Sequence, residues 1–121
     1  MRNPLLYIYD IIDCIEKIEI YSKNLTLNEF QKTSETQDAI LRRLEIIGEA
    51  VKKIPPEIKE KQKEVPWKSI AGLRDVVIHE YFGVNMDRVW KLIHSDLKTF
   101  KTEIIKIKDD LENNYPIKFE K

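Results

Sequence analysis

Eight apolar residues, Met86, Trp90, Ile93, Leu97, Phe100, Ile104, Ile107 and Leu111, recur at alternating spacings of four and three. A strand, whose side chains alternate with period two, would scatter this set over both faces. A helix gathers it into one seam along its length. The pattern predicts one continuous helix capped by Asn85, of the kind that packs lengthwise in a bundle.

The rest of the chain follows the same rule. Pro4 opens a predicted first helix reaching about Asn24, with Leu5, Ile8, Ile12, Ile15 and Ile18 along its stripe. A short helix is expected over 26–32. A second long helix, capped by Thr33 or Ser34, carries Ile40, Leu44, Ile47, Val51 and Ile54 and stops at Pro55 and Pro56. Beside that stripe Ala39, Arg43, Ile46 and Ala50 form a second row, so the helix has apolar surface for two neighbours, one of which could be a second copy of the chain. Gly48, in mid-helix, marks a place for close backbone packing. A third long helix is expected from Pro66 to Tyr81 or Phe82, stopped by Gly83. Three glycines in 121 residues are too few for the turns of an all-β chain. The predicted fold is all-α, an up-and-down bundle of four main helices with short connecting helices. Residues 1–112 form one domain, and 113–121 are a loose tail.

Lysine and arginine number 21, as do aspartate and glutamate, so total charge points to neither nucleic acid nor membrane. A neutral total can still conceal a local basic cleft. The apolar opening run is broken by Asp10, Asp13, Glu16 and Lys17, which argues against a signal peptide or a membrane span. The single Cys14 falls in an apolar helical pattern and reads as a small buried hydrophobe, which suits a reducing cytoplasm.

Chemistry concentrates in LRDVVIHEYF, residues 73–82, which holds one of two histidines. On a helix Arg74 and Tyr81, seven apart, share one stripe, and Asp75 and His79, four apart, share another. The Asp75 carboxylate can fix the imidazole tautomer. Cleaving RNA without a metal needs proton transfer at the ribose 2′-hydroxyl and the 5′-oxygen. It also needs a cation at the phosphorane oxygens, so His79 and Arg74 suit the two tasks. One histidine is too few for separate acid and base, and a two-fold dimer would supply a second. The bland reading stands beside this: the bare Arg-x4-His spacing is a weak motif, a histidine near a helix end can simply cap carbonyls, and tyrosine there is commonly a packing residue. Arg42, Lys52 and Lys53 read as a solvated flank. Arg43, with apolar wheel neighbours, reads either as an ion-pair residue or as an RNA phosphate contact. His94 shows no partner and reads as structural.

The stretches RRLEIIGEA (42–50), VPWKSIAGLRD (65–75) and HEYFGVN (79–85) resemble the HEPN superfamily, and within it the HepT toxins. The resemblance implies a helical homodimer acting as a metal-independent endoribonuclease with no cofactor, the toxin of a toxin–antitoxin system. It matches Arg74 and His79 to the catalytic pair and Asp75 to the polar position after the arginine. It makes Tyr81 the residue that a cognate minimal nucleotidyltransferase antitoxin inactivates by AMPylation. Some HEPN proteins are catalytically silent, so the alternative is a dimerising helical module that binds a nucleotidyltransferase partner or a nucleotide.

Overall fold

The computed structural model describes residues 3–73 and 85–114. Over these residues the chain is all-α, with no strand. Helix α1 spans Pro4–Ser22, α2 Leu27–Lys32, α3 Ser34–Lys52, α4 Pro56–Glu60, α5 Trp67–Ala71, α6 Met86–His94 and α7 Asp96–Asn114.

Helix α1 starts where sequence demands. The Asn3 side chain accepts from the Leu5 N–H at 2.9 Å, and Pro4 occupies the first turn, where its missing N–H costs nothing. Its buried stripe is Leu5, Ile8, Ile11, Cys14, Ile15 and Ile18, so Ile11 takes the core place expected of Ile12, which is half-exposed. Ser22, buried near the end, donates to the Ile18 carbonyl at 2.8 Å and leaves no polar atom orphaned.

A capping box then begins α2. The Thr26 hydroxyl accepts from the Glu29 N–H at 3.2 Å, and the Glu29 carboxylate accepts from the Thr26 N–H at 2.9 Å. Helix α3 carries the whole expected stripe into the core, from Ile40 to Val51, with Ile54 just past its end. Gly48 is buried with it. Neither proposed cap residue bonds the first turn, because the Thr33 hydroxyl donates backwards to the Glu29 carbonyl at 2.7 Å.

Three features depart from the expected helices. Pro55 and Pro56 end α3, but Pro56 also occupies the first position of α4, a helix the stop signal hid. The helix expected to run from Pro66 to Tyr81 is interrupted. Helix α5 ends at Ala71, and Gly72 caps it in a near-bridge conformation, φ −78° and ψ −1°, with its N–H on the Lys68 carbonyl at 3.0 Å. That φ suits any residue. Glycine's contribution is its low helix propensity, which lets the chain leave the helix cheaply. The Gly83 stop, and any helix up to Tyr81 or Phe82, lie outside the described residues.

The third departure is a break at Ser95 within the long apolar seam, φ −123° and ψ −75°. His94 Nδ1 lies 2.9 Å from the Trp90 carbonyl oxygen, and the imidazole stacks on the Trp90 indole with ring centroids 4.1 Å apart. A side chain bonding into the ladder this way kinks a helix. Ser95 N–H still bonds the Lys91 carbonyl, and the Thr99 N–H bonds Ser95, so the register survives. The seam is buried from Met86 to Leu111, with Val89 in the place expected of Trp90. Trp90 packs outward on Phe30 of α2, ring centroids 5.2 Å apart.

Helix α1 packs on α3 and α7. Two cross-links fix α1 and α7 antiparallel: Tyr9 at the start of α1 donates to Glu112 at 2.5 Å, and Glu19 near its end accepts from Lys101 at 2.8 Å. The final helix reaches Asn114. The rest of the expected tail, 115–121, lies outside the described residues.

Candidate functional site

Arg74, Asp75, His79 and Tyr81 all lie outside the described residues. The structure describes the two flanks of the segment that carries them. On one side α5 leads to Leu73, which is buried. On the other, the Asn85 side chain accepts from the Arg88 N–H at 3.2 Å and opens α6, as the sequence predicted.

Both flanks are anchored. The Trp67 indole N–H is shared between the Lys59 and Gln62 carbonyls, at 3.2 and 3.0 Å, and the ring meets Phe100 of α7 edge-on at 6.2 Å. This holds α5 to the turn before it and to the last helix. At the other flank α6 is tied to α2 by the Trp90–Phe30 stack and by a hydrogen bond from the Gln31 amide to the Asp87 carboxylate.

Between the flanks lies a cavity of about 700 Å³. Ile70 and Leu73 from the α5 side and Leu92, Leu97 and Phe100 from α6 and α7 give it an apolar floor. Glu64, Asp96, Glu103 and Arg88 stand around it. Its polar lining is therefore mainly anionic among the described residues, which disfavours a phosphate there. No sequence pattern announces this cavity, since its walls come from separated stretches of chain. Among the described residues no group of three or more His, Cys, Asp or Glu side chains is placed to hold a metal ion.

Arg43 is half-buried and sits across α1 and α3, where Nη1 lies 3.9 Å from the Cys14 sulfur and Tyr21 is an electrostatic neighbour. The ion-pair reading of Arg43 does not hold among the described residues: its partners are a thiol and a phenol. It does not line the cavity. Burial pushes the Cys14 thiol pKa up, and the nearby Arg43 only partly offsets this, so Cys14 is a packed hydrophobe and no nucleophile. Arg42 is exposed and pairs with Glu45 at 2.7 Å, while Lys52 and Lys53 are exposed, as expected of a solvated flank.

Among the described residues these features define an all-helical bundle, with an anchored helix preceding and another following the motif segment in the chain. The family is fixed by comparison with known proteins. The model of the family described as "Ribonuclease HepT-like" matches residues 11–107, and the chain belongs to that family. It is 39% identical over 107 residues to "Probable ribonuclease HepT" of Thermococcus cleftensis, covering 88% of this chain and 97% of the relative. It is 42% identical over 111 residues to "Putative RNase MJ1216" of Methanocaldococcus jannaschii, covering 92% of each. A third relative, "Gamma-glutamylcyclotransferase and putative RNase MJ0434" of the same archaeon, is 41% identical over 113 residues, 93% of this chain, which spans about half (51%) of that longer protein. No solved structure gives a significant match. Among the described residues no helix is long and apolar enough to cross a membrane.

Proposed function

We propose that this chain is a ribonuclease, the toxin of a cytoplasmic toxin–antitoxin pair, cutting RNA without a metal. The observation that carries the reading is the family match over residues 11–107, a span that contains Arg74 and His79, the pair the family resemblance matches to the catalytic residues. In the proposed reaction His79 takes the proton from a ribose 2′-hydroxyl as its oxygen attacks the adjacent phosphorus. The bond to the 5′-oxygen breaks, that oxygen gains a proton, and a 2′,3′-cyclic phosphate remains. Arg74 holds the phosphorane oxygens through its planar fork, and Asp75 sets the imidazole tautomer. Arg43 serves as an outlying phosphate contact.

A homodimer supplies the second histidine. Ala39 and Ile46 are half-exposed beside the buried stripe of α3, and Ile20 of α1 is 70% exposed, which leaves apolar surface for a second copy. A nucleotidyltransferase antitoxin silences the toxin by joining AMP to the Tyr81 hydroxyl, with pyrophosphate leaving from ATP. The added phosphate then competes with RNA for Arg74.

In chelator, purified protein cleaves RNA and leaves cyclic-phosphate or 3′-phosphate ends, and Arg74→Ala or His79→Ala lowers the rate at least ~100-fold. Undiminished cleavage by both variants removes the site. Incubation with the antitoxin and ATP adds AMP multiples to the intact mass, and Tyr81→Phe blocks the addition. Modification at another residue refutes that assignment. The competing reading is a catalytically silent dimerising module that binds the nucleotidyltransferase or a nucleotide, and the acidic cavity lining, which disfavours phosphate, supports its protein-binding form. A wild-type protein that binds the transferase and leaves RNA intact would establish it.

A further inference from the structure

The neutral total charge hides a strong local imbalance. Residues 52–68, the corner joining α3 through α4 to α5, hold six lysines against three glutamates, a net charge of +3. The remainder is correspondingly acidic, with 15 cationic and 18 anionic side chains.

The corner's cations also differ in their partners. Lys17, Arg42, Lys101, Lys106 and Lys108 each pair with a carboxylate. Among the described residues none of Lys52, Lys53, Lys59, Lys61, Lys63 and Lys68 does, and all but the half-buried Lys59 are exposed. Desolvation draws the Lys59 ammonium pKa down with no carboxylate to offset it. Of the corner's acids, Glu64 lines the cavity beside Asp96 and Glu103, and Glu57 shares a small recess with Lys61 and Asp110. Trp67 holds the corner in shape by bonding the Lys59 and Gln62 carbonyls. Lys68 precedes Arg74 by six residues, so the two Cα atoms are at most about 21 Å apart.

We propose that this lysine corner is the surface along which the phosphate backbone of single-stranded RNA lies on its way to the motif segment. The assignment rests on the ribonuclease reading for its substrate class. It also accounts for RNA affinity in a chain of zero net charge, because unpaired, exposed lysines release counterions when they meet phosphates.

The test uses a fluorescein-labelled single-stranded RNA of mixed sequence and measures anisotropy over a range of salt, with His79→Ala as the parent so that nothing is cut. Lys53→Gln/Lys63→Gln/Lys68→Gln in that parent should weaken binding about tenfold or more near 0.1 M salt. It should also flatten the slope of log K against log salt by about 2. The control is Lys23→Gln/Lys32→Gln, which brackets α2 at the other end of α3, about 28 Å away along that 19-residue helix. It should bind like the parent, and circular dichroism melts check that both variants are folded. Equal affinity and slope in the triple variant and the parent would overturn the corner, as would a parent that binds no RNA. A triple variant that keeps RNA but loses the nucleotidyltransferase would reassign the corner to a protein partner and also overturn the proposal. Cleavage is scored separately. Wild-type cleavage with unaltered binding in the triple variant sinks the corner and spares the ribonuclease, whereas weakened binding with no wild-type cleavage does the reverse.

Discussion

The bundle of α1, α3 and α7 and the corner of α4 and α5 are built on opposite principles. The three long helices bury continuous stripes and hold several of their surface charges in pairs, Lys101 with Glu19 among them. The corner has two five-residue helices, neither with a side-chain cap bond, one shared indole hydrogen bond, and lysines without carboxylates among the described residues. Stability is concentrated where the periodicity is long. Unpaired charge and cavity gather where it is short, which is where a binding surface can be accommodated without weakening the core.

Truncation should separate the two regions most sharply. Ile104→Ala, at a fully buried position of α7, should cost about 2–5 kcal/mol in chemical denaturation, while Leu92→Ala, on the half-exposed wall of the cavity, should cost about 1 kcal/mol. Equal costs would mean that the cavity side is packed as tightly as the bundle. Next in size, Trp67→Phe keeps the ring against Phe100 but removes the indole donor, leaving the Lys59 and Gln62 carbonyls without it. We expect about 1–2 kcal/mol and faster amide exchange around α4 and α5 than in α1. Uniform exchange across both regions would dissolve the contrast.

At the start of α2, beside the bundle, Thr26→Ala breaks a two-way capping box and should cost about 1 kcal/mol. Thr33→Ala, whose hydroxyl makes no cap bond, should cost less. The smallest effect is one of pH. Cys14 has its pKa raised in the fold, so its contribution is fully present below the unfolded thiol pKa and declines as pH rises through the folded value. Stability measured from neutral to alkaline pH should therefore fall more steeply for the wild type than for Cys14→Ala. Parallel curves would show that the thiol does not titrate differently in the two states.

Long elements were legible because many residues vote for the same face. The whole α3 stripe, four positions of the α1 stripe and every seam residue but one lie in the core as the spacing predicts, and the exceptions, Ile12 for Ile11 and Trp90 for Val89, are single-residue rotations at the edge of a stripe. The breaks were not legible. Ser95 is no helix breaker by type, and the apolar register runs straight across it. The kink depends on the imidazole of His94 reaching the Trp90 carbonyl, a contact that one-dimensional spacing does not encode. Pro56 carried two meanings, stop and start, and only the stop was read. Arg74, Asp75, His79 and Tyr81 stood out as a motif because spacing and residue type suffice for that. The thiol and phenol beside Arg43 come from a different helix, so no local pattern could announce them.

The two tryptophans fall on different structural units. Trp67 stands in the corner against Phe100, and Trp90 lies between α2 and α6 against Phe30 and His94. Replacing either one leaves a single-indole protein whose emission follows one neighbourhood alone. The molecule thus carries its own pair of optical reporters, one for the approach to the motif segment and one for its exit.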